Sequence, residues 1–134
     1  MRYNHTRVIS TRQLVVAIVD DEESVRRALE RLLRSVGMTA RVFATGTEFL
    51  AEYERLMPDC LVLDLHMPGM SGFEIMNRLQ GRLPVVVITG QDSPENEMRA
   101  VGAGAGAYLS KPVQDHHLID AIHSVTVHPL PTDN

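Results

Sequence analysis

Five short strands alternating with five helices, folded as a doubly wound α/β sandwich, is the architecture to which this sequence points, on three grounds. First, apolar runs rich in Val, Ile and Leu recur at Leu14–Val19, Cys60–Leu63, Val85–Ile88 and Ala107–Leu109. Such runs lack the polar alternation of a half-exposed strand and read as strands of a parallel sheet buried on both faces. Second, the segments between them carry apolar residues at helical spacing. Third, each run ends in polar residues: Asp20-Asp21, Asp64, Thr89, and Ser110-Lys111. In open parallel sheets, ligands bind just outside the carboxyl ends of the strands. Three carboxylates, a hydroxyl and an ammonium are therefore expected to converge on one small site.

Residues 1–13 show no period and read as an N-terminal extension, and residues 128–134 as a tail or the start of a linker. Between them, 14–127 reads as one domain. After the first strand, Val25, Ala28, Leu29, Leu32, Leu33 and Val36 form a helical stripe, and Gly37 supplies the stop. A short strand at Thr39–Phe43 follows. Thr45-Gly-Thr-Glu48 has capping-box spacing for a second helix carrying Phe49, Leu50, Tyr53 and Leu56, which Pro58-Asp59 breaks. Ser71-Gly-Phe-Glu74 repeats that spacing before Phe73, Met76 and Leu79. Ser93-Pro94-Glu95 supplies a cap, a proline at the first helical position and an acid in the first turn. Gly102 to Gly106 ends that helix and allows a tight approach to the fifth strand. Pro112 and Asp115 launch the last helix on Leu118, Ile119, Ile122 and Val125. Periodicity supplies this alternation but not the strand order. The common small solution, 2-1-3-4-5, would put Asp20, Asp21 and Asp64 at the ends of the two strands flanking the switch point.

The composition bounds the function. At 134 residues the chain suits a single domain, and 44% hydrophobic with 22% charged residues is ordinary for a globular protein. No apolar stretch reaches the roughly 18 residues that span a bilayer, and no leader pattern opens the chain. The single cysteine, Cys60, lies inside an apolar run and reads as a buried hydrophobe, so a cytoplasmic protein is expected. A formal charge of −4 argues against non-specific nucleic-acid binding by this chain.

Two adjacent carboxylates with a third nearby repel one another unless a cation neutralises them. Mg²⁺ suits such a site, because it takes one or two carboxylates, keeps waters and accepts phosphate oxygens. Lys111 offers a point charge for phosphate, and Thr89 a hydroxyl donor. Asp64, placed beside a cation and a lysine, could attack phosphorus and carry an acyl phosphate.

With Asp20-Asp21, Asp64, Met67-Pro68, Gly72, Thr89-Gly90, Ala103-Gly-Ala105, Tyr108 and Lys111-Pro112 in this order and spacing, the chain resembles the receiver domain of two-component response regulators over roughly residues 14–127. The resemblance implies a flavodoxin-like (βα)₅ fold. It implies that Asp64 accepts a phosphoryl group from a histidine kinase or histidine phosphotransfer protein. Asp20, Asp21, Asp64 and the backbone carbonyl of His66 would hold Mg²⁺, and Lys111 and Thr89 would bind the phosphoryl oxygens. Thr89 and Tyr108 would act as the switch, and the Lys111-Pro112 bond would be cis. A homodimer through the fourth helix and fifth strand is a family-based expectation. The chain would be either a complete single-domain regulator or the receiver part of a transcription factor, and an enzyme only toward its own phosphorylation and dephosphorylation.

Other readings compete. A Mg²⁺-dependent phosphatase of small substrates would want a second acid two residues after its nucleophile, where this chain has His66. A receiver that binds partners without phosphorylation would be expected to lack a key residue, and none is missing. His66 and Gln91 are expected at the mouth of the site, where they would set water access to the phosphoryl group. His116, Asp120 and His123 share a helical face but read as solvated surface, and the arginines of the first helix as a solvated or partner-docking face. Met67 and Met70 read as turn and packing residues.

Overall fold

The computed structural model describes residues 13–127. The expected tail, and all of the expected extension except Gln13, lie outside the described residues. The elements alternate strictly: β1 (Val15–Val19), α1 (Glu23–Ser35), β2 (Thr39–Phe43), α2 (Gly46–Leu56), β3 (Cys60–Asp64), α3 (Gly72–Leu79), β4 (Val85–Thr89), α4 (Pro94–Gly102), β5 (Ala107–Ser110) and α5 (Asp115–Thr126). All strand pairs are parallel, in the order β2-β1-β3-β4-β5. Topology and order agree with the expectation from the sequence.

Alternate residues of each central strand feed two cores. Ala17, Val19, Leu61, Leu63 and Val87 face Phe49 of α2, Ile75, Met76 and Leu79 of α3, and Ala100 of α4. Val16, Ile18, Val62, Val86 and Ile88 face Leu29 and Leu33 of α1 and Leu118 and Ile122 of α5. Each fully buried Leu or Ile contributes about 1.5–3 kcal/mol relative to exposure. Burial on both faces holds for β1, β3 and β4 but not at the edges. β5 is only half-buried along its length, and Arg41 of β2 is exposed, because an edge strand has a neighbour on one side only. The stripe on α1 is also narrower than its spacing suggested: Ala28 and Val36 are exposed, and Leu29 and Leu33 carry the burial. In α3, Ile75 joins Met76 and Leu79 in the core while Phe73 is half-buried.

The caps form with one variation. Ser71 Oγ accepts from the Glu74 N–H at 3.2 Å, and Glu74 Oε1 accepts from the Ser71 N–H at 3.4 Å, a reciprocal box. Thr45 Oγ1 accepts from the Glu48 N–H at 3.1 Å, but Glu48 Oε1 reaches one residue further back, to the Ala44 N–H at 3.2 Å. Ser93 Oγ accepts from the Asn96 N–H at 3.0 Å, fixing the start of α4. Among the described residues no helix is long and apolar enough to cross a membrane.

Candidate functional site

Parallel register assembles the site. Val19 pairs with Leu63, so Asp20 and Asp64 are the next residues of two adjacent strands, both at the carboxyl end of the sheet. Thr89 pairs with Ser110, so Lys111 follows one position beyond, its N–H bonded to the Thr89 carbonyl at 2.8 Å. The Lys111-Pro112 bond is cis. Oxygens of Asp20, Asp21 and Asp64 lie within 4.8 Å of one another, the only such cluster of metal-ligating side chains among the described residues. His116, Asp120 and His123 are exposed and form no comparable group.

Burial sets the electrostatics. Asp20 is fully buried, Asp64 is 4% exposed, and Asp21 is exposed. Burial, reinforced by the Asp20 charge, raises the Asp64 pKa to about 6, while Lys111 and the His66 N–H partly oppose the rise. Asp20 Oδ1 accepts from the Glu22 N–H at 2.9 Å. Its other oxygen, Oδ2, is buried and faces the Lys111 ammonium at 2.9 Å without an aligned hydrogen bond. Lys111 Nζ also lies 3.1 Å from Glu22 Oε1 and 3.7 Å from Asp64 Oδ2. Burial alone would lower the Lys111 pKa, but the Asp20, Glu22 and Asp64 oxygens outweigh it and raise it. The oxygens of Asp20, Asp21 and Asp64 form an all-carboxylate donor set, which fits a hard divalent cation.

The remaining residues are placed more finely than the sequence allowed. Thr89 is buried, and its hydroxyl accepts from the Gln91 N–H at 3.0 Å. Tyr108 is half-buried beside Asp92 and Ser93, its hydroxyl enclosed without an aligned partner. The His66 ring turns to α4: its Nε2 lies 3.2 Å from Asn96 Nδ2, and Asn96 also donates to the Gln91 carbonyl at 2.6 Å. A depression of about 380 Å³ beside this contact is lined by Leu65, His66, Met67, Ser71, Phe73 and Arg99, and the Arg99 guanidinium lies 3.8 Å from the Phe73 ring centroid. Gly72 packs where a Cβ would stand 2.7 Å from the Asp64 carbonyl oxygen. Gly90 has no such constraint, its nearest atom being Lys111 Cδ at 3.9 Å. Cys60 is inert by placement: burial, with Asp59 adding to it, pushes the thiol up to about 12. Glu22 and Asn96 escaped the sequence reading. Glu22 follows the acidic pair directly, but nothing local indicates a contact with a residue 89 positions away.

A doubly wound sheet with an acidic cluster and a lysine at its switch point defines the class, and comparison with known proteins agrees with it. The family model for the response regulator receiver domain matches residues 16–123, and the chain belongs to that family. Nodulation protein W of Bradyrhizobium diazoefficiens is 39% identical over 118 residues, covering 84% of this chain and 51% of that protein. The C4-dicarboxylate transport transcriptional regulatory protein DctR of Rhodobacter capsulatus is 38% identical over 119 residues, covering 84% and 60%. The chain thus spans about half the length of the curated relatives it matches. Among solved structures, a response regulator receiver protein from Burkholderia phymatum is 42% identical with a TM-score of 0.77, covering 88% of this chain and 100% of that one.

Proposed function

We propose that this domain is a phosphorylation-controlled switch in which Asp64 is the phosphoryl acceptor. The observation that carries this is the nearly buried Asp64 carboxylate set among Asp20, Asp21 and the Lys111 ammonium, all at the carboxyl end of the sheet. With its pKa near 6, Asp64 is mostly the nucleophilic carboxylate at pH 7 and above. A carboxylate oxygen of Asp64 forms a bond to phosphorus, and the bond from phosphorus to the donor breaks. That leaving atom is the imidazole nitrogen of a phosphohistidine, or the carboxylate oxygen of an acyl phosphate. Hydrolysis reverses the modification: water attacks phosphorus, the Asp64–phosphorus link breaks, and inorganic phosphate leaves.

Asp20, Asp21, Asp64 and the His66 carbonyl would hold Mg²⁺, which when bound supplies positive charge to offset the carboxylates and the transferred group. Lys111 binds a phosphoryl oxygen. Thr89 exchanges the Gln91 N–H for a phosphoryl oxygen, and Tyr108 then turns inward. This alters the surface formed by α4, β5 and α5. The donor is a sensor histidine kinase or a histidine phosphotransfer protein. The His66 ring and Gln91 control water access to the phosphoryl group, so His66→Ala is expected to change the dephosphorylation rate between pH 6 and 8. An unchanged rate removes His66 from that role.

Intact mass after incubation with Mg²⁺ and acetyl phosphate tests the central point. Wild type is expected to gain one phosphoryl group and Asp64→Asn none. A gain by both proteins, or by neither, counts against Asp64 as acceptor.

A further inference from the structure

Lys111 has three N–H donors and three carboxylates before it, at unequal distances. Asp20 Oδ2 lies at 2.9 Å and Glu22 Oε1 at 3.1 Å, whereas Asp64 Oδ2, at 3.7 Å, is beyond hydrogen-bond reach. The two near partners differ in burial. The Asp20 side chain is wholly enclosed, while that of Glu22 is 59% exposed. Removing Lys111 from Asp20 would leave a buried charge without its partner, which is costly. Removing it from Glu22 costs little, because water solvates the freed carboxylate. Asp20 is therefore the fixed pivot of the ammonium and Glu22 the exchangeable partner.

We propose that Glu22 is a positioning residue that holds Lys111 back from Asp64 and competes with the incoming phosphoryl group for its ammonium. The proposal rests on the phosphoryl-acceptor reading above. Glu22 is held in place for this role, since its N–H is bonded to Asp20 Oδ1 at 2.9 Å and it stands at the N-cap of α1. Its side chain makes no cap hydrogen bond and points instead to Lys111. When Asp64 takes a phosphoryl group from acetyl phosphate, the phosphorus–oxygen bond to the acetyl group breaks, acetate leaves, and a phosphorus–oxygen bond to Asp64 forms. The added charge and acceptor oxygens draw Lys111 off Glu22.

The test compares the rate of phosphorylation by acetyl phosphate in the intact chain for wild type, Glu22→Gln, Glu22→Asp and Glu23→Gln. Glu22→Gln removes the competing charge. Glu22→Asp keeps the charge but shortens the side chain, and Asp at an N-cap favours the helix N–H groups over a distant lysine. Glu23→Gln makes the same charge change on a residue that pairs with Arg27 at 3.1 Å. Both Glu22 variants are expected to react roughly two- to five-fold faster than wild type, the scale of one partly exposed ion pair. Glu23→Gln should match wild type, and unfolding midpoints should stay together across the set. A Glu22→Asp rate equal to wild type, or a Glu23→Gln rate equal to Glu22→Gln, reduces the effect to net charge and overturns the proposal. So does no change in either Glu22 variant. Failure of wild type itself to gain a phosphoryl group on Asp64 would instead overturn the acceptor reading.

Discussion

Asp64→Asn is expected to stabilise the Mg²⁺-free protein at pH 8 by roughly 1–3 kcal/mol, with the gain vanishing below about pH 4. The cause is that burial and the Asp20 charge raise the Asp64 pKa from 3.8 to about 6. A folded-state pKa above the unfolded value means that the native protein binds the proton more tightly than the unfolded chain. Stability from this group is therefore fully present below about pH 4, falls as pH rises, and is lost above about pH 6. Asparagine keeps the shape of the side chain and cannot ionise, so it escapes that loss. Denaturant unfolding of both proteins from pH 4 to 8 measures the difference, in which contributions from carboxylates far from Asp64 cancel. Added Mg²⁺ should narrow the gap by stabilising wild type preferentially. A difference that does not vary with pH would mean that Asp64 carries no electrostatic strain.

Gly72→Ala is expected to destabilise the fold by about 1–3 kcal/mol, at the upper end of that range, and to slow phosphoryl acceptance. A Cβ there would stand 2.7 Å from the Asp64 carbonyl oxygen and 2.8 Å from Leu65 Cα. Both are backbone atoms at the end of β3, so relief requires moving α3 or displacing Asp64 itself. The Gly72 N–H also bonds to the Leu65 carbonyl at 2.9 Å, which ties the two segments together. Gly46→Ala is the informative contrast. Its nearest obstacles are Ile75 Cδ1 at 2.6 Å and Cγ1 at 2.8 Å, atoms of a side chain, so relief does not require displacing the backbone of β3. Thermal unfolding and the acetyl phosphate rate, measured on both variants, should show the larger loss in Gly72→Ala. Equal losses would refute the backbone argument.

The local part of this protein is written in its sequence. Apolar runs of strand length, stripes at helical spacing, the Ser71–Glu74 box and the Ser93-Pro94 start depend on neighbours a few residues away, and each forms close to its expected position. Because parallel strands expose the same end, their terminal residues alone assembled Asp20, Asp21, Asp64 and Lys111. Burial at the edges was less legible, since a run such as Ala107–Leu109 does not reveal whether it has a neighbour on both sides.

The long-range geometry belonged to the tertiary structure. Only the register of β1 against β3, and of β4 against β5, places Lys111 between Asp20 and Glu22 at a greater distance from Asp64. Only the packing of α4 beside the β3–α3 turn brings Asn96 to the His66 ring, across 30 residues. The physical reason is that secondary structure follows from the repeat of a single chain segment. The partner of a charged side chain is instead chosen by distances of a few tenths of an ångström and by burial, both of which exist only once the sheet has closed over its helices.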